Sequence, residues 1–271
     1  MQTDLPRLHP DRLSALTALV LLAFGLTRLT VLPALPLEAT LLGLVIRVEI
    51  NTRLIMLLLA AGLAVAGADW LLRSHPAAAS LRFPVEHWII PGLAAFSVGS
   101  IVTRLPLGLA LWVGLALGAA LLVAVLGAEF CVLDPLDRRH DAAAVGLRIL
   151  SYLFFVVAVF ALTSAEMRAI FEVPLLFLAA LGMTWRLLRL RKARGEAWIL
   201  ALVIGVTVAE LGWGLHYWPI PALREAMLLV LAVYVAEGLL LAAEGDRLPA
   251  RRGVEFAVFG ALALAGILLF T

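Results

Sequence analysis

The feature that most constrains this chain is a succession of long apolar runs separated by short polar segments. A helix rises about 1.5 Å per residue, so about twenty apolar residues are needed to cross a hydrocarbon core roughly 30 Å thick. Nine runs meet that requirement: Leu13 to Leu32, Leu54 to Leu72, Glu86 to Thr103, Leu107 to Val132, Leu147 to Ala165, Val173 to Leu190, Ala197 to Trp218, Ala222 to Ala243 and Val254 to Phe270. With 63% hydrophobic residues, 15% charged residues and a mean hydropathy of +1.05 over 271 residues, the chain has too little polar surface to cover a water-soluble fold. The expected fold is all-α, a polytopic transmembrane helix bundle forming a single integral membrane domain over residues 1–271. Its partners are then the lipid bilayer and membrane proteins, and its place is the cell membrane, which it crosses several times.

The first run follows Arg7 and Arg12 but has no small-residue cleavage site, with Arg28 and Pro33 standing where one would fall. It reads as a retained anchor. Between the first two runs, residues 37–53 mix apolar positions with Glu38, Arg47, Glu49 and Asn51, a pattern that suits a helix lying in the outer interface.

The basic residues set the orientation. With the N-terminus in the cytoplasm, fifteen of the 21 Lys and Arg residues fall on the inner side and six on the outer, so an odd number of spans leaves the C-terminus outside. The tryptophans fall near predicted span ends, where their amphipathic rings are favoured. The same scatter of arginines over the span ends, rather than over one basic surface, argues against a nucleic-acid partner.

Gly114 and Gly118 on the fourth run, and Gly92 and Gly99 on the third, provide small positions for close helix packing. Spans three to five also share motifs with spans seven to nine: Glu86-His87-Trp88-Ile89 with Glu196-Ala197-Trp198-Ile199, Pro106 with Pro219, Ala128-Glu129 with Ala243-Glu244, and Arg138-Arg139 with Arg251-Arg252. Either an internal duplication or the ordinary recurrence of interface Trp, loop Pro and cytoplasmic Arg accounts for them.

Chemistry-bearing motifs are sparse. There is no phosphate-binding glycine loop, dinucleotide fingerprint or zinc-protease motif, and a single cysteine, Cys131, excludes an intrachain disulfide. No catalytic residue, cofactor or metal site is assigned. The loop from Asp134 to Asp141 could hold Mg²⁺ against a diphosphate, and the helix count is similar to that of membrane prenyltransferases. Those enzymes carry two Asp-rich motifs after spans two and six; here the corresponding loops read Arg73-Ser74-His75-Pro76 and Arg189-Leu190-Arg191-Lys192. The likeness ends at the count, and the loop reads better as a solvated helix cap. His75, Glu86 and His87 likewise suit interface hydrogen bonding more than a metal.

The informative residues are ionisable groups within or beside the spans, which lipid penalises unless they face the bundle interior. They are Arg28, Glu210, His216, Arg224 and Glu237, a candidate buried polar or ligand pathway, with Arg28 and Glu210 expected to pair. Such pairing suits an accessory or scaffold subunit of a membrane assembly. A small-molecule or ion transporter and a membrane enzyme acting on a lipid or polyprenyl substrate are the alternatives, although the short loops offer little catalytic machinery.

Overall fold

The computed structural model describes residues 10–29, 35–41, 44–50, 52–76, 85–190, 197–243, and positions 258, 260, 261 and 264–267. Eight helices follow the apolar runs: α1 Pro10–Leu29, α2 Thr52–Leu72, α3 Ile89–Val102, α4 Leu109–Val132, α5 His140–Thr163, α6 Ala169–Leu190, α7 Ala197–His216 and α8 Ala222–Ala243. A single 3-10 turn, Val85–His87, leads into α3. Seven helical segments among the described residues are long and apolar enough to cross a membrane. α8 carries Arg224, Glu225 and Glu237 along its 22 residues and falls outside that set. The ninth expected span lies mostly outside the described residues.

One expectation is corrected. Residues 37–53 do not form an interfacial helix: Leu35–Leu41 (β1) and Leu44–Ile50 (β2) pair as an antiparallel hairpin. The sequence explains the preference. Leu35, Leu37, Ala39 and Leu41 alternate with Pro36, Glu38 and Thr40, and Leu44, Ile46, Val48 and Ile50 alternate with Val45, Arg47 and Glu49. That is a period of two, not 3.6, and β2 is rich in β-branched residues. The register matches the two patterns, pairing Leu37 with Val48 and Glu38 with Arg47.

The chain divides into two compact units, residues 1–143 and 144–271, with the boundary in the first turn of α5. In the first unit α3 is the central helix, contacting α1, α2 and α4. Almost every residue from Ile90 to Val102 is buried, so α3 is apolar on all sides, as a helix enclosed by other helices must be. Glycines allow that enclosure. A Cβ on Gly99 would lie 2.6 Å from Phe24 and 2.8 Å from Leu57, and one on Gly92 would lie 2.9 Å from Val65. Gly118 receives Val98, and Gly114 receives Leu105. The glycine pair on α4 therefore serves contacts within its own unit.

In the second unit α6 packs against α7, and α8 packs against both. Gly205 admits Phe177 and Leu181 of α6, and Gly212 admits Leu176 of α6 and Leu229 of α8. The core of this unit includes Leu176, Ala180, Met183 and Leu187 on α6 with Ala201, Ile204 and Val208 on α7.

Candidate functional site

Among the described residues, three gatherings of buried ionisable groups stand out, each within one unit, and Arg186 on α6 is buried as well. In the first unit, His87 stands in the 3-10 turn before α3 and Glu129 in the last turn of α4. Contacts between the helices run in opposite directions, joining His87 to Glu129 near one end and Val98 to Gly118 farther along. The pair is closed: His87 Nδ1 lies 2.7 Å from Glu129 Oε2, and the two side chains are 5% and 0% exposed. Glu86 approaches the other ring nitrogen at 3.8 Å. Alongside, Asp69 accepts hydrogen bonds from Trp88 Nε1 at 3.2 Å and from Arg73 Nε at 2.6 Å. The carboxylate holds the exposed Arg73 guanidinium above its ordinary pKa.

His75, in the turn after α2, is buried with its ring edge-on to Phe130, the centroids 4.6 Å apart. Burial lowers its pKa, against the opposing pull of Asp134 and Asp137. Those two aspartates shape the loop they stand in: Asp134 accepts the Leu136 N–H at 2.9 Å and Asp137 the Arg139 N–H at 2.8 Å. The loop is built as a sequence of side-chain-capped turns. Among the described residues, no cluster of three or more His, Cys, Asp or Glu has the arrangement to hold a metal ion.

In the second unit, Glu172 lies in the first turn of α6, His216 in the last turn of α7 and Glu225 in the first turn of α8. Each charge type suits its place, because helix N-termini favour carboxylates and C-termini favour imidazolium. His216 Nδ1 lies 2.8 Å from Glu172 Oε2, and the His216 ring also meets Tyr217 edge-on. Beneath these residues, Leu176, Gly212 and Leu229 are in close packing. Each is one helical turn from its counterpart in the cluster, so Glu172, His216 and Glu225 lie on the faces that the three helices turn toward one another. Glu172 Oε1 and Glu225 Oε1 are both buried without a hydrogen-bond partner, and so is Arg224 Nε.

The third gathering joins α5 to α8. Tyr152 donates its hydroxyl to Glu237, Arg148 Nη2 lies 4.0 Å from the same carboxylate, and the Tyr152 and Tyr234 rings meet edge-on.

The five residues expected to form one polar pathway are thus distributed. His216 and Glu237 are partnered, in separate gatherings, and Arg224 stands beside Glu225 on α8. Glu210 is exposed on α7, which corrects the expectation that it faces the bundle interior. The side chain of Arg28 lies outside the described residues, and so does the expected Arg28–Glu210 contact. Part of the expected duplication also rests on residues 196, 244, 251 and 252, outside the described set. Sequence reasoning missed Glu129, Glu172, Glu225, Tyr152 and Arg148 as members of buried networks. The three glutamates show in the sequence only as carboxylates near the ends of apolar runs, and Arg148 and Tyr152 only as polar positions near the start of the fifth run.

Comparison with known proteins adds one finding. A family model described as a protein of unknown function, DUF5656, matches residues 32–270. No curated protein and no solved structure matches the chain.

Proposed function

The chain belongs to the DUF5656 family, and we propose that it is an integral protein of the cell membrane serving as an accessory or scaffold subunit of a larger membrane assembly. The observation behind this reading is that buried ionisable groups engage groups on neighbouring helices of the same unit, as in His87–Glu129 and Tyr152–Glu237. Cross-links of this kind fix helices to one another without requiring a substrate. The apolar outer surfaces of helices such as α4 and α7 suit lipid and membrane-protein neighbours.

The span count is nine in this proposal, with α8 and the segment from Val254 to Phe270 both crossing. The fifteen-to-six distribution of basic residues supports an N-terminus in the cytoplasm, and with nine spans the C-terminus is then outside. A periplasm-active reporter fused after Thr271 is expected to be active, and activity confined to a cytoplasmic reporter would overturn the odd span count.

Extraction of the native membrane into polymer-bounded discs tests the role. The chain is expected to migrate with a second membrane protein at fixed stoichiometry, and proteoliposomes containing the chain alone are expected to match empty vesicles in solute and proton flux. Flux driven by the isolated chain would overturn the scaffold reading. It would favour a transporter, for which the specific support is the pair of unpartnered, buried carboxylate oxygens on Glu172 and Glu225.

A further inference from the structure

We propose that Glu172, His216 and Glu225 form a proton-binding site in which one proton is held on the Glu225 carboxyl group at neutral pH. The inference rests on the geometry of the second unit and is independent of the accessory role. Glu225 is 6% exposed and Glu172 2% exposed, and one oxygen of each is buried without a donor. Leaving a buried acceptor unpaired costs about 1–3 kcal/mol, and more when the group is charged. Glu172 has an imidazole at 2.8 Å to offset its charge; Glu225 shares the same enclosed end of the three helices and has no such contact with the ring. Two carboxylates held together in an apolar surround do not both ionise readily, so the carboxyl without the imidazole takes the proton.

The surrounding groups act in both directions. On α6, Glu172 opposes ionisation of Glu225. On α7, His216 favours it when protonated, and the ring of Tyr217, just beyond the helix, meets the imidazole in an edge-on contact. On α8, Arg224 adjoins Glu225 in sequence, with its Nε buried and unpartnered, and the helix N-terminus also favours the anion. The floor of Leu176, Gly212 and Leu229 closes the site on the side of the helix interior and keeps its dielectric low. In the binding step a proton from water forms an O–H bond on a Glu225 carboxylate oxygen, and the charge of the cluster becomes more positive by one. Releasing it restores two neighbouring anions, whose repulsion acts to separate the first turns of α6 and α8.

The test is infrared difference spectroscopy on the full chain in lipid nanodiscs, with isotope-edited glutamate, across a pH titration. A protonated-carboxyl C=O band is expected at neutral pH, disappearing on alkalinisation, and Glu225→Gln should remove one proton equivalent of that band. Glu172→Gln, which removes the opposing charge, is expected to move the transition to lower pH while leaving the Glu225 band present on the acid side. Melting temperatures of both variants establish that the fold is retained. If the unaltered chain shows no protonated glutamate at neutral pH, or if the band survives Glu225→Gln in the folded variant, the assignment is overturned.

Discussion

The two units solve the same problem with the same pair of residue types and arrive at different states. His87 and Glu129 are 42 residues apart in sequence and His216 and Glu172 are 44 apart, with the order of histidine and glutamate reversed. Both pairs join the beginning of one helix, or the turn leading into it, to the end of its neighbour. In the first unit the histidine–glutamate contact is fully enclosed, with exposures of 5% and 0%. In the second the imidazole is 24% exposed, and a second carboxylate, Glu225, joins the cluster. A histidine–carboxylate contact between apolar helices is therefore not by itself a functional signature. Its meaning depends on whether nearby polar atoms are satisfied, and of these two clusters, among the described residues, the second holds the buried carboxylate oxygens without donors, Glu172 Oε1 and Glu225 Oε1.

The largest expected effect breaks this comparison at its closed end. Glu129→Leu alone should destabilise the chain by about 3–5 kcal/mol, because it removes the buried carboxylate that His87 Nδ1 meets at 2.7 Å. Replacing both residues, His87→Leu with Glu129→Leu, should recover much of that loss, since neither desolvated partner remains. Denaturation of the four proteins in one detergent gives the coupling directly. Glu172→Leu should cost less than Glu129→Leu, because the imidazole it leaves behind, His216, is partly exposed and reaches water. Equal losses in the two units would show that the second pair is as closed as the first, and the distinction drawn between them would fail.

A smaller effect sharpens the contrast in packing. Gly99→Ala would press a methyl group onto Phe24 and Leu57, and Phe24 is wholly buried. Overpacking at such a place costs about 1–3 kcal/mol. At Gly212 the nearest obstacle, 2.8 Å away, is the terminal methyl of Leu176, which can swing aside. Gly212→Ala is expected to lower the melting temperature less than Gly99→Ala, and the reverse order would place the tighter helix contact beneath the Glu172 cluster.

These differences also show what the sequence made legible. Helices were readable because lipid imposes a minimum apolar length, and that requirement depends on neither register nor partner. At Leu35–Ile50 the polar residues Glu38, Arg47 and Glu49 suggest an interfacial helix, whereas the two-residue period of the apolar positions decides for paired strands. His216 and Glu237 were recognisable as costly ions beside or within apolar runs. Their partners were not, because a contact between helices separated by some forty residues, or by the 85 between Tyr152 and Glu237, leaves no spacing to read. The Arg28–Glu210 expectation illustrates the same limit from the other side. Similar depth in a bilayer says how far along its helix a residue lies, but not which way around the helix it points, and Glu210 points outward.

The smallest effect concerns His75 of the first unit, whose ring meets Phe130 edge-on. His75 is buried against Phe130, and desolvation lowers its pKa from the ordinary value of 6.5. The unfolded chain therefore binds a proton at His75 more readily than the folded chain does. Stability from this residue is fully present above pH 6.5 and is lost as pH falls through that value toward the lower folded pKa. His75→Gln removes the titration without adding a charge. Subtracting its stability profile from that of the unaltered chain should leave a difference that rises with pH through the mildly acidic range and flattens above it. Asp134→Asn would sharpen the assignment: Asp134 favours the imidazolium, so its neutralisation should lower the folded pKa further and carry the loss to lower pH. A difference profile that fell with rising pH would mean that the loop aspartates outweigh burial. The fold would then favour the charged form of His75, and burial against Phe130 would not set its titration.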